Sequence, residues 1–192
     1  MGNAADLARK AGALSALIVG VLVATEVAAC PAPDQLHVTS LDRAFTQEKF
    51  MSGMSKPLKS EGRLLASADE VVWHMTKPFD VKTTITGKGI SQSVDGKPAE
   101  RAGPESTEVG ASIAKAMAAL MRGQWSELKT MFTVKPSAPV GAEDWQVLLT
   151  PLDQRLQSVL GTIVVRGCED VSLVEITRPD GDRETIVFSE SR

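Results

Sequence analysis

A mainly β fold, laid out as a large curved antiparallel sheet or incomplete barrel and interrupted by helices, is the architecture that three features of the sequence predict. The first is the stretch Val71-Val72-Trp73-His74-Met75-Thr76-Lys77-Pro78-Phe79. Its period of two places Val71, Trp73 and Met75 on one face and Val72, His74 and Thr76 on the other, the pattern of a half-buried strand, and Lys77-Pro78 ends it because proline cannot donate to a sheet ladder. The second is the return of turn signals between short alternating runs: Thr86-Gly87-Lys88-Gly89, Asp95-Gly96-Lys97 and Pro179-Asp180-Gly181-Asp182. Such spacing suits one curved sheet better than a sandwich of separate halves. The third is a change of period after Gly103-Pro104, where apolar residues recur at helical spacing.

Taken in order, the chain begins with Arg9 and Lys10, an apolar run from Ala11 to Ala24, and Thr25-Glu26-Val27-Ala28-Ala29-Cys30. A basic start, a short hydrophobic stretch and small residues before a cut site describe a secretory signal peptide over residues 1–29. The run is shorter than the ~18–20 residues of a membrane span. The remainder, 30–192, is expected to be a single domain. Three fates are open to Cys30: acylation at a lipobox-like Val27-Ala28-Ala29-Cys30, a disulfide to Cys168 in an oxidising compartment, or neither.

Leu41 and Phe45 stand at helical spacing and predict a helix from Leu36 to Gln47, with the first strand beginning near Phe45. Ser52-Gly53 and Lys56-Pro57 then mark a loop. Strands are expected at Gly62–Ser67, at the Trp73 stretch, at Asp80–Thr86 and at Ile90–Val94. A helix follows, capped by Ser106 or Thr107 and carrying Val109, Ile113, Met117, Leu120 and Met121 on one stripe until Gly123 stops it. A second, shorter helix aligns Trp125, Leu128 and Phe132. Strands return at Trp145–Thr150, Gly161–Arg166, Val171–Thr177 and Arg183–Ser189, with a turn or brief helix at Pro151-Leu152-Asp153. That makes about nine or ten strands.

Composition narrows the function classes. The chain has 192 residues, 43% hydrophobic and 23% charged, enough to bury a core without a metal or disulfide staple. A net charge of -3 with no basic block argues against nucleic acid. Two histidines and two cysteines, far apart in sequence, offer no metal-ligand cluster. No G-x-S-x-G, H-E-x-x-H or G-x-G-x-x-G occurs, so no enzyme and no cofactor are expected. His74 reads as a surface residue, and Glu143, Asp144, Asp180 and Asp182 as solvated loop acids.

Phe45-Thr46-Gln47, Gly62, Trp73-His74-Met75 with Pro78, the Ile85 to Ile90 hairpin and Asp144-Trp145 followed by a strand and Pro151 together resemble the outer-membrane lipoprotein carrier family of the LolA type, over nearly the whole exported part of the chain. The resemblance implies a half-barrel of antiparallel strands whose concave apolar face is covered by helices. It implies a periplasmic carrier that holds lipoprotein acyl chains and passes them from an inner-membrane exporter to an outer-membrane acceptor. By position, Trp73 and Met75 match the family's cavity strand, with Val71 in place of a larger aromatic. The Val109, Ile113, Met117, Leu120 and Met121 stripe and the piece with Trp125 and Phe132 match its lid. Phe79, Ile85 and Trp145 complete the expected lining.

Two departures bear on this reading. Ala68-Asp69-Glu70 stands where better-studied carriers have an Arg-Pro pair whose arginine latches the lid, so the expectation is either that lid closure rests on apolar contact or that the lid does not cycle at all. The family's C-terminal extension has no counterpart after the last expected strand, which bears on handover to the usual acceptor. Acyl chains need an apolar concavity with few polar anchors. A chain with no tyrosine and with methionines on both expected walls supplies that lining, each CH₂ withdrawn from water being worth about 0.8 kcal/mol. A monomer is expected. The second reading is a membrane-anchored, lipid-binding sensor or accessory protein on the same scaffold, held through an acylated Cys30.

Overall fold

The computed structural model describes residues 30–189, apart from 37, 39, 68, 87–88, 100–103 and 139–143. The expected signal segment, 1–29, lies outside the described residues, as does Glu143.

Strand β1 spans Leu41–Phe50, where a helix from Leu36 to Gln47 was expected. Leu41, Arg43 and Phe45 are buried while Asp42, Ala44 and Thr46 are exposed. The correction has a simple cause: Leu41 and Phe45 are four apart, a spacing that a helix and a strand both place on one side. Arg43, buried between them, is the polar residue that hid the alternation. A meander follows through β2 (Leu58–Ala66), β3 (Glu70–Lys77), β4 (Val81–Thr86), β5 (Gly89–Val94) and a two-residue β6 (Lys97–Pro98). The chain then forms α1 (Pro104–Met121) and α2 (Trp125–Met131). It returns through β7 (Phe132–Pro136), β8 (Trp145–Pro151), α3 (Gln154–Leu160), β9 (Thr162–Gly167), β10 (Val171–Thr177) and β11 (Arg183–Phe188).

All eleven strands join one sheet in the order β6-β5-β4-β3-β2-β1-β11-β10-β9-β8-β7. Every pairing is antiparallel. The sheet stays open, with β6 and β7 as its edges, and three helices accompany it: the incomplete barrel that the sequence predicts. The order explains the cover. The chain starts at the middle of the sheet, works out to β6, and must reach the opposite edge before working back to β11 beside β1. The segment that makes this passage is α1 and α2, so a helical bridge over the sheet is built into the topology.

Three boundaries differ from expectation for local reasons. Helix α1 starts at Pro104, not at a Ser106 or Thr107 cap; proline's fixed φ and missing N–H suit a first helical position. Phe132, expected as the last residue of the second helix, opens β7 instead. Asp153, expected within a turn, caps α3, its carboxylate accepting from the backbone N–H groups of Arg155 at 2.8 Å and Leu156 at 3.3 Å.

Cys30 is bonded to Cys168 across a separation of 138 residues. Of the three fates the sequence leaves open, the structure takes the disulfide, and a sulfur so engaged cannot also carry a thioether-linked lipid. Folding also brings Asp144 beside the pair, but joined sulfurs offer no thiolate to a metal. From Cys30 the chain runs as a strap. Buried Leu36 packs beneath the α1–α2 turn, and Val38 N–H donates to the Arg122 carbonyl at 3.3 Å. In that turn Gly123 has φ +66°, and a Cβ would strike the Leu36 carbonyl.

Candidate functional site

The sheet offers its apolar side to the helices. Pairing of Arg43 with Leu64, Leu64 with Trp73, Phe45 with Phe188, Val174 with Val165 and Ile163 with Leu149 sets inward residues side by side across the strands. On this face the Phe45 and Trp73 rings lie 4.1 Å apart, although β2 runs between their strands. Gly62 permits it: a Cβ there would meet Phe45 Cζ at 2.6 Å and the His74 carbonyl. Phe188 closes the trio edge-on to Trp73 at 6.3 Å. The Phe-Thr-Gln piece thus splits by face, Phe45 inward, Thr46 exposed, and Gln47 donating to Glu184 at 2.8 Å.

The second wall is helical. Ile113, Ala116, Met117 and Leu120 of α1 and Leu128 of α2 face Phe132, Leu149, Leu160, Ile163, Val174 and Ile176, with a gap of about 30 Å³ between them. Each of these side chains is hydrocarbon or thioether; none carries a hydrogen-bonding group. The gap has room for about one or two water molecules, far below the roughly 300–1,000 Å³ of ligand pockets. At these residues the helices and the sheet meet in a narrow apolar seam.

Of the expected lining, Val71, Leu120, Met121, Trp125, Phe132 and Trp145 are buried, and Trp73, Ile85, Val109, Ile113 and Met117 are partly buried against the same cluster. Met75 is half-buried near the outer end of β3 and stands outside that cluster. Phe79 is 66% exposed: it lies past the end of β3, where the period of two no longer applies, and is corrected to a surface position. Trp125 meets Trp145 edge-on at 5.9 Å, and Trp145 Nε1–H donates to the Cys168 carbonyl at 2.7 Å.

Sequence reasoning missed Arg43. Its side chain is 3% exposed, and Nη1 bonds the Val171 carbonyl at 2.7 Å and the Asp170 carboxylate at 2.8 Å. Nε and Nη2 both donate to the Ser189 carbonyl, and the guanidinium lies over the Phe188 ring at 5.7 Å. It welds β1 to the end of β11 and the start of β10. The β8–β10 half of the seam was also missed as lining, although the alternation of Val147, Leu149, Ile163 and Val165 carries the signal.

Lid closure is not apolar alone. Arg122, at the end of α1, donates from Nη2 to the Glu70 carbonyl at 3.4 Å, and Lys115 pairs with Glu127 at 3.3 Å to join α1 to α2. On the outer face His74 meets Asp80 at 3.2 Å. The resolved proton shifts lie outside the seam. Lys77 is raised by a hydrogen bond to Glu61 and then by its charge, and Asp153 is lowered by hydrogen bonds from Arg155 and the α3 backbone. Among the described residues no helix is long and apolar enough to cross a membrane.

Residues 37–189 match a family model described as outer membrane lipoprotein carrier protein LolA-like. No curated protein matches. Among solved structures, the chain is similar to a LolA superfamily protein of Nitrosomonas europaea at 8% identity, covering 82% of this chain and 88% of that one, with a TM-score of 0.42.

Proposed function

The chain belongs to the LolA-like family of outer membrane lipoprotein carrier proteins, and from that premise we propose that it is a periplasmic carrier binding the acyl chains of lipoproteins, or of related lipids, between its sheet and its helical lid. The observation that carries the reading is the seam itself. The surfaces of α1 and α2 and the sheet that meet at the 30 Å³ gap present only apolar side chains, so parting them exposes a hydrocarbon-lined slot without stranding a buried polar group. Each CH₂ transferred into it gains about 0.8 kcal/mol, so two or three chains bind firmly without specific chemistry. The cost of opening is the Arg122–Glu70 bond and the apolar contact between lid and sheet, of which the entering chains replace the second in kind.

The Cys30–Cys168 disulfide supports export, since such bonds persist in oxidising compartments, and a signal segment over 1–29 fits the same address. Carriage, not catalysis, is the role, with an inner-membrane exporter and an outer-membrane acceptor as the partners at either end and no cofactor. The disulfide also weighs against anchoring through an acylated Cys30. The test is mass spectrometry of the exported protein under non-denaturing conditions: bound acylated species are expected, and a preparation free of lipid from an envelope rich in it overturns the reading.

A further inference from the structure

A second space, of about 190 Å³, opens where α1, the α2–β7 junction and α3 converge. From α1 it takes Val109 and Ser112, from the end of α2 Thr130 and Met131, and from α3 Leu156. The closed gap takes the next residues inward along the same elements: Ile113 and Ala116 on α1, Phe132 after α2, Leu160 on α3. Ser112 to Ala116 and Leu156 to Leu160 are each a single helical turn, about 5–6 Å along the axis. The two spaces follow one another along the same three elements, Met131 and Leu156 lining the outer one and Ile113 the inner one. Met131 is half-buried and unbranched, able to swing without disturbing the backbone.

We propose that this cleft is the portal through which hydrocarbon tails enter and leave the seam, and that the ester or amide end of the acyl ligand stops at its lip. The lip has the matching chemistry. Ser112 and Thr130 make the lip polar, the Thr130 hydroxyl donating to the Glu127 carbonyl at 2.7 Å with its oxygen still able to accept, Asp153 and Arg155 stand together at 3.5 Å, and Leu152, 55% exposed, flanks them with bare apolar surface. A polar collar outside a hydrocarbon slot passes a tail and arrests a head. The inference rests on the acyl-carrier reading above and adds the direction from which the ligand arrives.

Stopped-flow uptake of methyl parinarate, a fluorescent acyl ester, tests it. Thr130→Trp and Leu152→Trp place bulk at the lip from exposed positions, so folding is expected to survive, and melting curves check it; Leu65→Trp, on the outer face, is the control. Loading and release are both expected to slow by about ten-fold in the lip variants, with Kd within about three-fold of wild type and the control unchanged, because a narrowed passage raises one barrier for both directions. Wild-type protein that takes up no ester overturns the carrier reading and the portal together. Wild-type uptake with unslowed lip variants overturns the portal alone and leaves the carrier reading standing.

Discussion

Gly62 holds the closest approach on the concave face. With Phe45 Cζ 2.6 Å from where its Cβ would stand, Gly62→Ala has to push the ring off Trp73 or β2 off β3. A loss of about 1–3 kcal/mol is expected in urea unfolding, the usual cost of overpacking. Arg43→Met is expected to cost about 3 kcal/mol, since it takes the guanidinium away from two carbonyls and the Asp170 carboxylate; partial exposure of Asp170 keeps the figure at the low end for a broken buried pair. These two positions were not equally legible. Gly62 could be singled out because a glycine inside an alternating run signals close backbone approach. Arg43 could not, because a sequence does not say which of several arginines finds carbonyls and a carboxylate waiting inside.

Helix α3 hangs on Asp153, and the sign of its pH response follows from the depressed carboxyl. A group whose folded pKa lies below its unfolded value contributes stability that is present above the unfolded value of 3.8 and lost as pH falls through the folded one. Asp153→Ala is therefore expected to melt lower than wild type at neutral pH, and the difference is expected to shrink as the acid falls below pH 4. The strap makes a larger contribution. Cys168→Ser, or reduction, frees a 138-residue separation and is expected to lower stability by about 2–5 kcal/mol. Through Leu36 and Val38 it is also expected to raise hydrogen exchange at the α1–α2 turn. Elements were legible where one period ran unbroken, as in β3, β10 and α1. They were misread where a four-residue spacing served two periods, in β1, or where an aromatic stripe ran from a helix into a strand, at Phe132.

The architecture as a whole was legible as a class and not as a closed state. Alternation and turn spacing predicted an open curved sheet with helices, and the strand order shows why the helices must bridge it. Nothing in a pattern of apolar residues distinguishes a slot from a packed core, because both demand the same side chains. On the carrier reading, Arg122→Ala, which removes the bond to Glu70, is expected to speed acyl uptake while leaving urea stability within about 1 kcal/mol. The central claim, that hydrocarbon enters between sheet and lid, has a reporter, because Trp125 and Trp145 belong to the apolar core cluster and Trp73 packs against it. Titration with a brominated acyl ester is the measurement. The account predicts saturable quenching of tryptophan emission by the brominated chain and little quenching by iodide in water; iodide quenching as strong as in free tryptophan, or an emission untouched by the bound brominated chain, contradicts it.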